Sequence, residues 1–304
     1  MPTMLETEVG FIGLGLIGAP IAARLQQAGY RVKTIDRHSV KARECGYDTV
    51  ATATELAADC NVVFTCLPSP EASLTLYKGD DGLLSRPRNN TLFVELSTID
   101  PKTAAGLGAA CKAAGSVFLD APVSGGPNGA RAGTLSVMVG GELADLERAR
   151  PFLQSFSSKC FHMGAVGAGS ATKMCNQMLT GVTNVLVAET MVLGAKMGLD
   201  ASRLFEVLHV SSGQSNSLDR VVPKFIIPRN FDAAFALDGI YKDMECITRT
   251  GKAFGARLLF AAVAQQLYEE ARSAGHGAKD AASVYLTVER AAGLPEANPL
   301  VRGT

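Results

Sequence analysis

One lysine in the middle of the chain is isolated from every other charge. Lys173 is the only formally charged residue between Cys160 and Ala188, within the segment GSATKMCNQMLTG (169–181). An ammonium group is costly to bury without partners, and in a polar cleft it can donate or accept a proton. The segment predicts a buried helix with one polar, chemically active edge. The alternative is that Lys173 extends to water near the start of the helix.

The neighbours of Lys173 on this predicted helix carry amides and hydroxyls. Residues three and four positions apart lie on the same helical face, which places Asn176, Gln177 and Thr180 beside Lys173, with Asn184 beyond them. The other positions are mostly apolar. This narrow polar stripe indicates a cleft that binds a polar ligand.

A glycine pattern near the N-terminus, GLGLIG, joins a hydrophobic strand to a helix. The first glycine permits a tight turn, the second lets a pyrophosphate approach the backbone, and the third allows close packing of helix and strand. The pattern predicts dinucleotide binding, although an ordinary strand–helix turn shares it. The predicted cofactor contacts in this turn are Gly13, Leu14, Gly15, Leu16, Ile17 and Gly18.

The end of the next strand bears on which cofactor binds. Asp36 follows Gly18 at the spacing at which a carboxylate accepts the adenosine ribose hydroxyls. It would repel a 2′-phosphate and so favours NAD(H), whereas Arg37 beside it could stack on adenine or pair with such a phosphate. We predict NAD(H) in preference to NADP(H).

Two further segments have polar residues in suggestive positions. Ser124, Gly125 and Gly126, in DAPVSGGPNGARAG, present a hydroxyl and unhindered backbone N–H groups that form a plausible nest for a carboxylate. A plain glycine-rich loop is the alternative. Lys242 and Asp243, in YKDM, lie in a helix-type stretch, where such a pair is typical of a solvated face.

The elements that must position these residues change character near Gly167. After this residue, helical segments continue to the C-terminus. Before it, apolar β-type runs alternate with helical segments; the runs cover residues 9–14, 31–36, 61–67, 91–97, 117–123, 134–141 and 159–164. Such alternation indicates a doubly wound, mostly parallel sheet. The sequence predicts an α/β fold, with a Rossmann-type NAD-binding domain in residues 1–167 and an all-α substrate and oligomerisation domain in residues 168–304.

Composition excludes several other classes of protein. The 304 residues have a formal net charge of +0 without a basic block, which argues against nucleic acid or an anionic membrane as partner. We expect no signal peptide, and the most apolar run, 178–193, is interrupted by Asn184 and Glu189. Seven cysteines without a CxxC pair indicate the cytoplasm, and four scattered histidines give no metal site.

Taken together, these motifs resemble those of the β-hydroxyacid dehydrogenase family over essentially the whole chain. In order they are GFIGLGLIGAPIA, CLPSP, ELSTIDP, DAPVSGG with GTLSVMVGG, GAGSATKMCNQ and YKDM. The resemblance implies an NAD(P)-dependent oxidoreductase that acts on CH–OH groups. It also implies a small carboxylate-bearing substrate and a homodimer or homotetramer that assembles through the helical domain.

The resemblance also implies roles for individual residues. Lys173 would be the general acid and base, Asn176 and Gln177 would orient the substrate, and Ser124–Gly126 would hold its carboxylate. The cofactor would be flanked by Leu67, Pro68 and Thr98. Lys242 would reach it from the helical domain, with Asp243 in support.

Two reactions within the family fit the motifs. Many members have asparagine four residues after the lysine, whereas Gln177 stands here with Asn176 before it, an arrangement similar to that of tartronate semialdehyde reductases. Reduction of tartronate semialdehyde (2-hydroxy-3-oxopropionate) to glycerate is therefore the first expectation. Oxidation of 3-hydroxyisobutyrate, or of another small 3-hydroxy acid, is the alternative, because SSGQSNSLD (211–219) is similar to that branch. From a different class, a non-catalytic NAD(H)-binding sensor would need no proton donor.

Overall fold

The computed structural model describes residues 8–35, 42 and 44–295. These residues form two compact units, the first ending at Met174 and the second beginning at Cys175. The boundary predicted at Gly167 lies just before helix α7 (Ala168–Lys196), which begins in the first unit and continues into the second. The domain ranges 1–167 and 168–304 stay a prediction.

The described part of the first unit contains a nine-stranded sheet with helices between its strands. The strands are β1 (Glu8–Ile12), β2 (Arg31–Ile35), β3 (Asp48–Thr49), β4 (Val62–Thr65), β5 (Leu92–Glu95), β6 (Val117–Asp120), β7 (Val123–Ser124), β8 (Leu135–Gly140) and β9 (Ser157–Gly164). The helices are α1 (Gly18–Gln27), α2 (Ala53–Asp59), α3 (Pro70–Lys78), α4 (Pro101–Ala113), α5 (Gly126–Ala132) and α6 (Leu143–Leu153).

The order of the strands is that of a doubly wound sheet. Strands β3, β2, β1, β4, β5 and β6 lie side by side and parallel. Strand β8 pairs antiparallel with β6 and with β7, and β9 runs parallel to β8. The chain winds outward in opposite directions from β1 and β4, which confirms the predicted Rossmann-type, mostly parallel sheet.

The central strands are apolar because both of their faces are covered. Strands β4 and β5 are buried along their whole length, as expected for parallel strands between two layers of helices. Successive side chains alternate between the faces: Phe64 packs with Phe156 in one cluster, and Phe93 packs with Tyr77 in another. This double packing fixes the strand ends, where the candidate site lies.

Two short strands depart from the sequence-based expectation. Strand β3 was not among the predicted strands, and the single strand predicted over 117–123 is divided into β6 and β7. Pro122 lies between them, and proline has no N–H to continue a ladder of hydrogen bonds. Two-residue strands also carry too little alternation to be recognised from a pattern.

The second unit is helical, as predicted. Apart from an isolated bridge between Ala236 and Asp280, its described residues contain no β pairing. Its helices are the remainder of α7, α8 (Ala201–His209), α9 (Asn216–Val221), α10 (Leu237–Ala253), α11 (Leu259–Ala271) and α12 (Val284–Ala291), with π-helical turns at Val222–Ile226 and Arg272–His276 and a 3₁₀ turn at Ala281–Ser283.

Close contacts join the longest helices of this unit. The hydroxyl of Tyr268 on α11 donates to the carbonyl oxygen of Gly181 on α7 at 2.9 Å. A Cβ added at Gly181 would press on the side chain of Met244 on α10. A small residue at this point of α7 therefore lets the three helices approach one another.

Helix α7 is long and apolar enough to cross a membrane by length and composition alone. Its most apolar window has a mean hydropathy of 1.4, and 44% of that window is buried within the chain. Core helices of globular proteins share these properties, so length and composition assign α7 to neither environment.

Candidate active site

The predicted nucleotide site lies where strands β1 and β4 end side by side. Ile12 pairs with Thr65 in the sheet, and the N–H of Cys66 donates to the carbonyl oxygen of Ile12 at 2.8 Å. The winding direction reverses between these two strands, and ligands of open α/β sheets bind at the carboxyl ends of strands at such a point. The sheet therefore provides a crevice next to the glycine turn.

The three glycines of the turn have three different structural requirements. Gly13 has φ of 101°, and an added Cβ there would overlap the carbonyl oxygen of Cys66. A Cβ at Gly18 would overlap the carbonyl oxygen of Gly13, which is the close helix–strand approach expected from the pattern. At Gly15, by contrast, no atom of the described residues lies within 4 Å of the Cβ position.

This turn fits the pyrophosphate of a dinucleotide. The open space at Gly15 admits a phosphate close to the backbone, and no side chain of the described residues caps the start of α1 at Ile17. The N–H groups of Ala19 and Ile21 already donate to carbonyl oxygens, and Pro20 has none, so the N–H groups of Gly18 and of the turn before it are the candidates to face an anion. Leu14 and Ile17 pack against the core, whereas Leu16 is exposed.

Asp36 and Arg37 lie outside the described residues, which stop at Ile35 and resume at residue 42. Their predicted part in the choice between NAD(H) and NADP(H) stays a prediction.

A hydrogen-bonded loop faces the glycine turn. The N–H of Leu67 donates to Ser97 Oγ at 2.6 Å, and the N–H of Ser97 donates to Glu95 Oε1 at 2.9 Å. Thr98, which is half-buried, is the next residue in the chain. Leu67 and Pro68 thus lie in a loop that is anchored to the end of the neighbouring strand β5, close to Thr98.

Glu95 and Ser97 were missed in the sequence. Glu95 is fully buried, and its burial raises the pKa of the carboxyl group, against hydrogen bonds from Ser97 that lower it. The available signal was a carboxylate inside the apolar run TLFVELS, since a buried acid needs hydrogen-bond partners.

The predicted carboxylate nest follows strand β7. Ser124 is the last residue of β7 and pairs with Ser136 of β8. Gly125 and Gly126 have φ of 129° and 63°, values that residues with a side chain rarely adopt. The paired glycines are therefore required by the turn that leads into α5. A Cβ at Gly126 would meet no atom within 4 Å.

A buried carboxylate ties this segment to the helix that carries Lys173. Asp120, the last residue of β6, accepts the N–H of Gly167 at 2.7 Å and the N–H of Ser170 at 2.6 Å. These bonds satisfy N–H groups at the start of α7 that have no partner within the helix. Burial raises the pKa of Asp120, and the same two bonds oppose that rise. Sequence reasoning missed this cap, because its partners lie far along the chain.

Lys173 lies one turn into α7 and is buried, with 8% of its surface exposed. The alternative of a solvated lysine is therefore wrong, but the prediction of a buried helix with a wet polar edge holds only in part, because Lys173, Gln177 and Asn184 of the polar stripe are themselves buried. Asn184, further along the same stripe, is 1% exposed. Several apolar side chains of α7 are instead exposed: Leu179, Leu186 and Leu193.

The second unit brings four of the predicted residues together. Gln177 Nε2 donates to Asp243 Oδ2 at 2.6 Å, and Lys242 Nζ lies 3.2 Å from Asp243 Oδ1. Asn176 Nδ2 donates to Gln177 Oε1 at 3.2 Å. Asp243 is 3% exposed, so the expectation of a solvated charged face is wrong for this residue. Asp243 instead orients an amide and an ammonium group at once.

The predicted residues are thus divided between the two units. The glycine turn, Leu67, Thr98, Ser124–Gly126 and Lys173 belong to the first unit. Asn176, Gln177, Lys242 and Asp243 belong to the second, with the amides one turn beyond Lys173 on the same helix. Within the described ranges, no group of three or more His, Cys, Asp or Glu side chains could hold a metal ion.

Two family models match the chain in succession. Residues 8–164 match the NAD binding domain of 6-phosphogluconate dehydrogenase, and residues 167–288 match the NAD-binding region of NADP-dependent 3-hydroxyisobutyrate dehydrogenase.

Curated relatives and a solved structure are similar over nearly the whole chain. The 3-hydroxyisobutyrate dehydrogenase of Pseudomonas aeruginosa is 38% identical over 86% of this chain and 91% of its own length. The 2-(hydroxymethyl)glutarate dehydrogenase of Eubacterium barkeri is 33% identical over 94% of this chain and 96% of its own. The structure of Mycobacterium tuberculosis 3-hydroxyisobutyrate dehydrogenase with L-serine has a TM-score of 0.85 and 35% identity, and covers 93% of this chain and 99% of that one.

Proposed function

Because this chain belongs to the β-hydroxyacid dehydrogenase family, we propose that it oxidises the primary alcohol of a 3-hydroxy carboxylate, with 3-hydroxyisobutyrate as the first candidate. Membership makes it an NAD(P)-dependent oxidoreductase that acts on hydroxyl groups, and a non-catalytic sensor is set aside. The observation that carries the proposal is the buried Asp120. It joins the strand leading to Ser124 with the helix that carries Lys173.

The molecules named for the relatives share one chemical pattern. 3-Hydroxyisobutyrate, 2-(hydroxymethyl)glutarate and L-serine each have a CH₂OH group on the carbon that bears the carboxylate. They differ only in the other substituent of that carbon. We assign the common part of this pattern to the present chain, with Ser124 Oγ and the N–H groups of Gly125 and Gly126 as ligands of the carboxylate.

The chemistry requires a proton acceptor beside the alcohol. Bound NAD(P)⁺ supplies the hydride acceptor. Lys173 Nζ, in its neutral form, accepts the hydroxyl proton as the carbonyl forms, and it returns that proton in the reductive direction. Burial of Lys173 keeps bulk water from competing for the same proton.

The amides of the second unit orient the substrate in this proposal. Gln177 is held by Asp243 through a hydrogen bond of 2.6 Å, so its carboxamide has one preferred direction. Lys242 pairs with the same carboxylate, and we assign it to the binding of the cofactor. Alignment of this kind supplies a large part of the barrier reduction in a two-substrate reaction.

Reduction of tartronate semialdehyde to glycerate is the second candidate. The adjacent amides Asn176 and Gln177 favour it, because they provide several hydrogen-bonding groups for a substrate with an extra hydroxyl. The relatives favour 3-hydroxyisobutyrate over this first expectation from the sequence. Glycerate also has a CH₂OH group on the carbon that bears the carboxylate. The two candidate reactions therefore share one substrate pattern.

A substrate panel separates these candidates. NAD(P)H formation is measured with 3-hydroxyisobutyrate, L-serine, glycerate and 2-(hydroxymethyl)glutarate, which vary the one substituent. The highest kcat/KM is expected with 3-hydroxyisobutyrate and NAD⁺, since Asp36 favours NAD(H). A preference for glycerate would establish the second candidate, and a clear preference for NADP⁺ would overturn the role of Asp36.

Lys173→Ala tests the proton transfer. Removal of a general acid–base group costs typically about 10²–10⁴-fold in rate, so kcat is expected to fall by at least about 100-fold in both directions. The Kd for NADH, measured by fluorescence, stays within about twofold because the glycine turn is unchanged. A folded variant with near-normal turnover would refute the role.

The exposed apolar residues of the second unit support assembly of copies of the chain. Leu179, Leu186 and Leu193 recur every seven residues on α7, and Phe254 and Phe260 are also largely exposed. The three leucines share one face of α7 by their spacing, and an exposed apolar face is typical of an interaction site. We assign this surface to a homodimer or homotetramer, which a solution mass by light scattering tests. Location in the cytoplasm stays a prediction from the free cysteines.

A further inference from the structure

We propose that Glu95 and Ser97 are positioning residues for cofactor binding, which hold the loop Cys66–Pro68 against the glycine turn. The inference rests on NAD(P) binding by the family and on the prediction that Leu67 and Pro68 flank the cofactor. It requires no particular hydroxy acid as substrate.

Three strand ends meet at this point of the sheet. Ile12, Thr65 and Glu95 are partners across β1, β4 and β5. The residues that follow them are Gly13, Cys66 and Leu96, and the N–H of Leu96 donates to the carbonyl oxygen of Thr65 at 2.8 Å. The position of the glycine turn therefore depends on the path of the chain at Cys66, where it leaves the middle strand, β4.

The carbonyl group of Cys66 touches the turn. A Cβ at Gly13 would overlap this carbonyl oxygen, so the two segments pack too closely to admit an added atom. A small rotation of the Cys66–Leu67 peptide would either press on Gly13 or open the crevice. Something must fix that peptide if the crevice is to keep one shape.

Ser97 and Glu95 supply that constraint. Ser97 Oγ accepts the N–H of Leu67 at 2.6 Å, which fixes one end of the peptide plane. The position of Ser97 is set in turn by its own N–H, which donates to Glu95 Oε1 at 2.9 Å. The two bonds form a relay from the buried end of β5 to the loop beside the glycine turn.

The relay is shielded from water. Ser97 is 3% exposed and Glu95 is fully buried, with Thr65 and Tyr77 joined by a hydroxyl contact of 3.1 Å close by. Leu67 is half-buried, so its N–H exchanges a fixed acceptor for a mobile one, such as solvent, when Ser97 Oγ is lost. Loss of Ser97 Oγ should therefore move the loop rather than leave it in place.

Ser97→Ala tests the relay, with Ser116→Ala as a matched control. Ser116 is another buried serine of the same unit, just before β6, and its hydroxyl has no hydrogen-bond partner among the residues that the structure describes. Titration with NADH, without substrate, is expected to give a Kd about 10-fold higher for Ser97→Ala. Ser116→Ala should bind NADH as the unchanged chain does.

Variants of Glu95 test whether the two bonds act as one unit. Glu95→Gln keeps an oxygen for the N–H of Ser97, so its Kd for NADH should stay within about twofold. Glu95→Leu should weaken binding as Ser97→Ala does, and the double variant should be no weaker than either. If Glu95→Leu fails to fold, the Kd of Ser97→Ala for NADH tests the proposal by itself.

The proposal is overturned if Ser97→Ala binds NADH within about twofold of the unchanged chain. It is also overturned if Ser116→Ala weakens NADH binding equally, since loss of any buried hydroxyl would then explain the effect. Because substrate is absent, failure to oxidise 3-hydroxyisobutyrate would count against the proposed function only.

Discussion

The crevice at the edge of the sheet and the polar cluster on α7 and α10 are built from different parts of the chain. At the sheet edge, glycines, strand ends and backbone N–H groups define the shape, as at Gly13 and Cys66. In the second unit, side chains do so, since Asp243 binds both Gln177 and Lys242. A backbone-built site tolerates few added atoms, whereas a side-chain-built site is sensitive to lost charge.

The largest effect is expected from Gly13→Ala, at the backbone-built site. The added Cβ would overlap the carbonyl oxygen of Cys66, and a φ of 101° is strained for alanine. Backbone strain of about 1–3 kcal/mol, together with displacement of the loop, should weaken NADH binding by about 100-fold. Fluorescence titration measures the change.

Gly106→Ala is the control, because Gly106 lies inside α4 with no atom within 4 Å of an added Cβ. It should leave NADH binding unchanged and stabilise the helix slightly. If Gly13→Ala binds NADH with normal affinity, the claim that backbone packing shapes the sheet-edge site is wrong.

Asp120→Asn tests a site where side chain and backbone combine. The new amide nitrogen cannot accept an N–H from Gly167 or Ser170, so one buried donor loses its partner. The free energy of unfolding should fall by about 1–3 kcal/mol. Because Lys173 lies one turn beyond this capped end of α7, kcat should fall by about 10-fold or more.

Asp200→Asn provides the comparison, since Asp200 caps α8 by accepting the N–H of Arg203 at 2.9 Å. Its kcat should not change. Equal kcat values for the two variants would mean that Asp120 serves stability alone.

Asp243→Asn tests the side-chain-built site. The substitution keeps the volume but removes the charge that pairs with Lys242 and receives the Gln177 amide. The KM for the hydroxy acid should rise by about 10-fold, because Gln177 loses its preferred orientation.

Asp238→Asn, on the same helix, removes an exposed carboxylate that pairs with Arg272 at 2.7 Å. Exposed pairs contribute little, so its kinetics should be unchanged. If the two variants have the same KM, the orienting role of Asp243 is disproved.

The smallest effect concerns pH and Glu95. Burial raises the pKa of Glu95, so the folded chain keeps this proton to a higher pH than the unfolded chain. Stability from this group is complete below the ordinary carboxyl range and is lost as pH rises through the raised pKa. Glu95→Gln does not titrate, so its Tm relative to the unchanged chain should increase as the pH rises from below the ordinary carboxyl range toward neutrality. A difference that stays constant with pH would contradict the buried proton.

Patterns confined to short stretches predicted the sheet well. The alternation of apolar runs and helices indicated the parallel strands, and the spacing of Gly13, Gly15 and Gly18 indicated a turn whose backbone requires them. In these cases the constraint acts between residues close in the sequence, so a local pattern records it. Strands β3 and β7 were not predicted as separate strands, because two residues are too few to show the alternation of apolar and polar side chains.

Contacts between distant residues could not be predicted in this way. Nothing near Asp120 in the sequence indicates that it caps a helix beginning after Gly167, and nothing near Gln177 indicates Asp243. Such pairs depend on packing of whole elements, and each partner alone reads as an ordinary polar residue. The buried Glu95 gave the best warning, as an acid within an apolar strand.

Helix α7 runs without interruption from Lys173, in the first unit, to Gln177, in the second. Each residue of an α-helix turns the chain by about 100°. A single insertion between these two positions would therefore rotate the carboxamide about the helix axis by about 100°, a little over a quarter of a turn, relative to the amine, even if both units folded normally. Substitutions can accumulate in this turn over evolution, but its length has to stay constant.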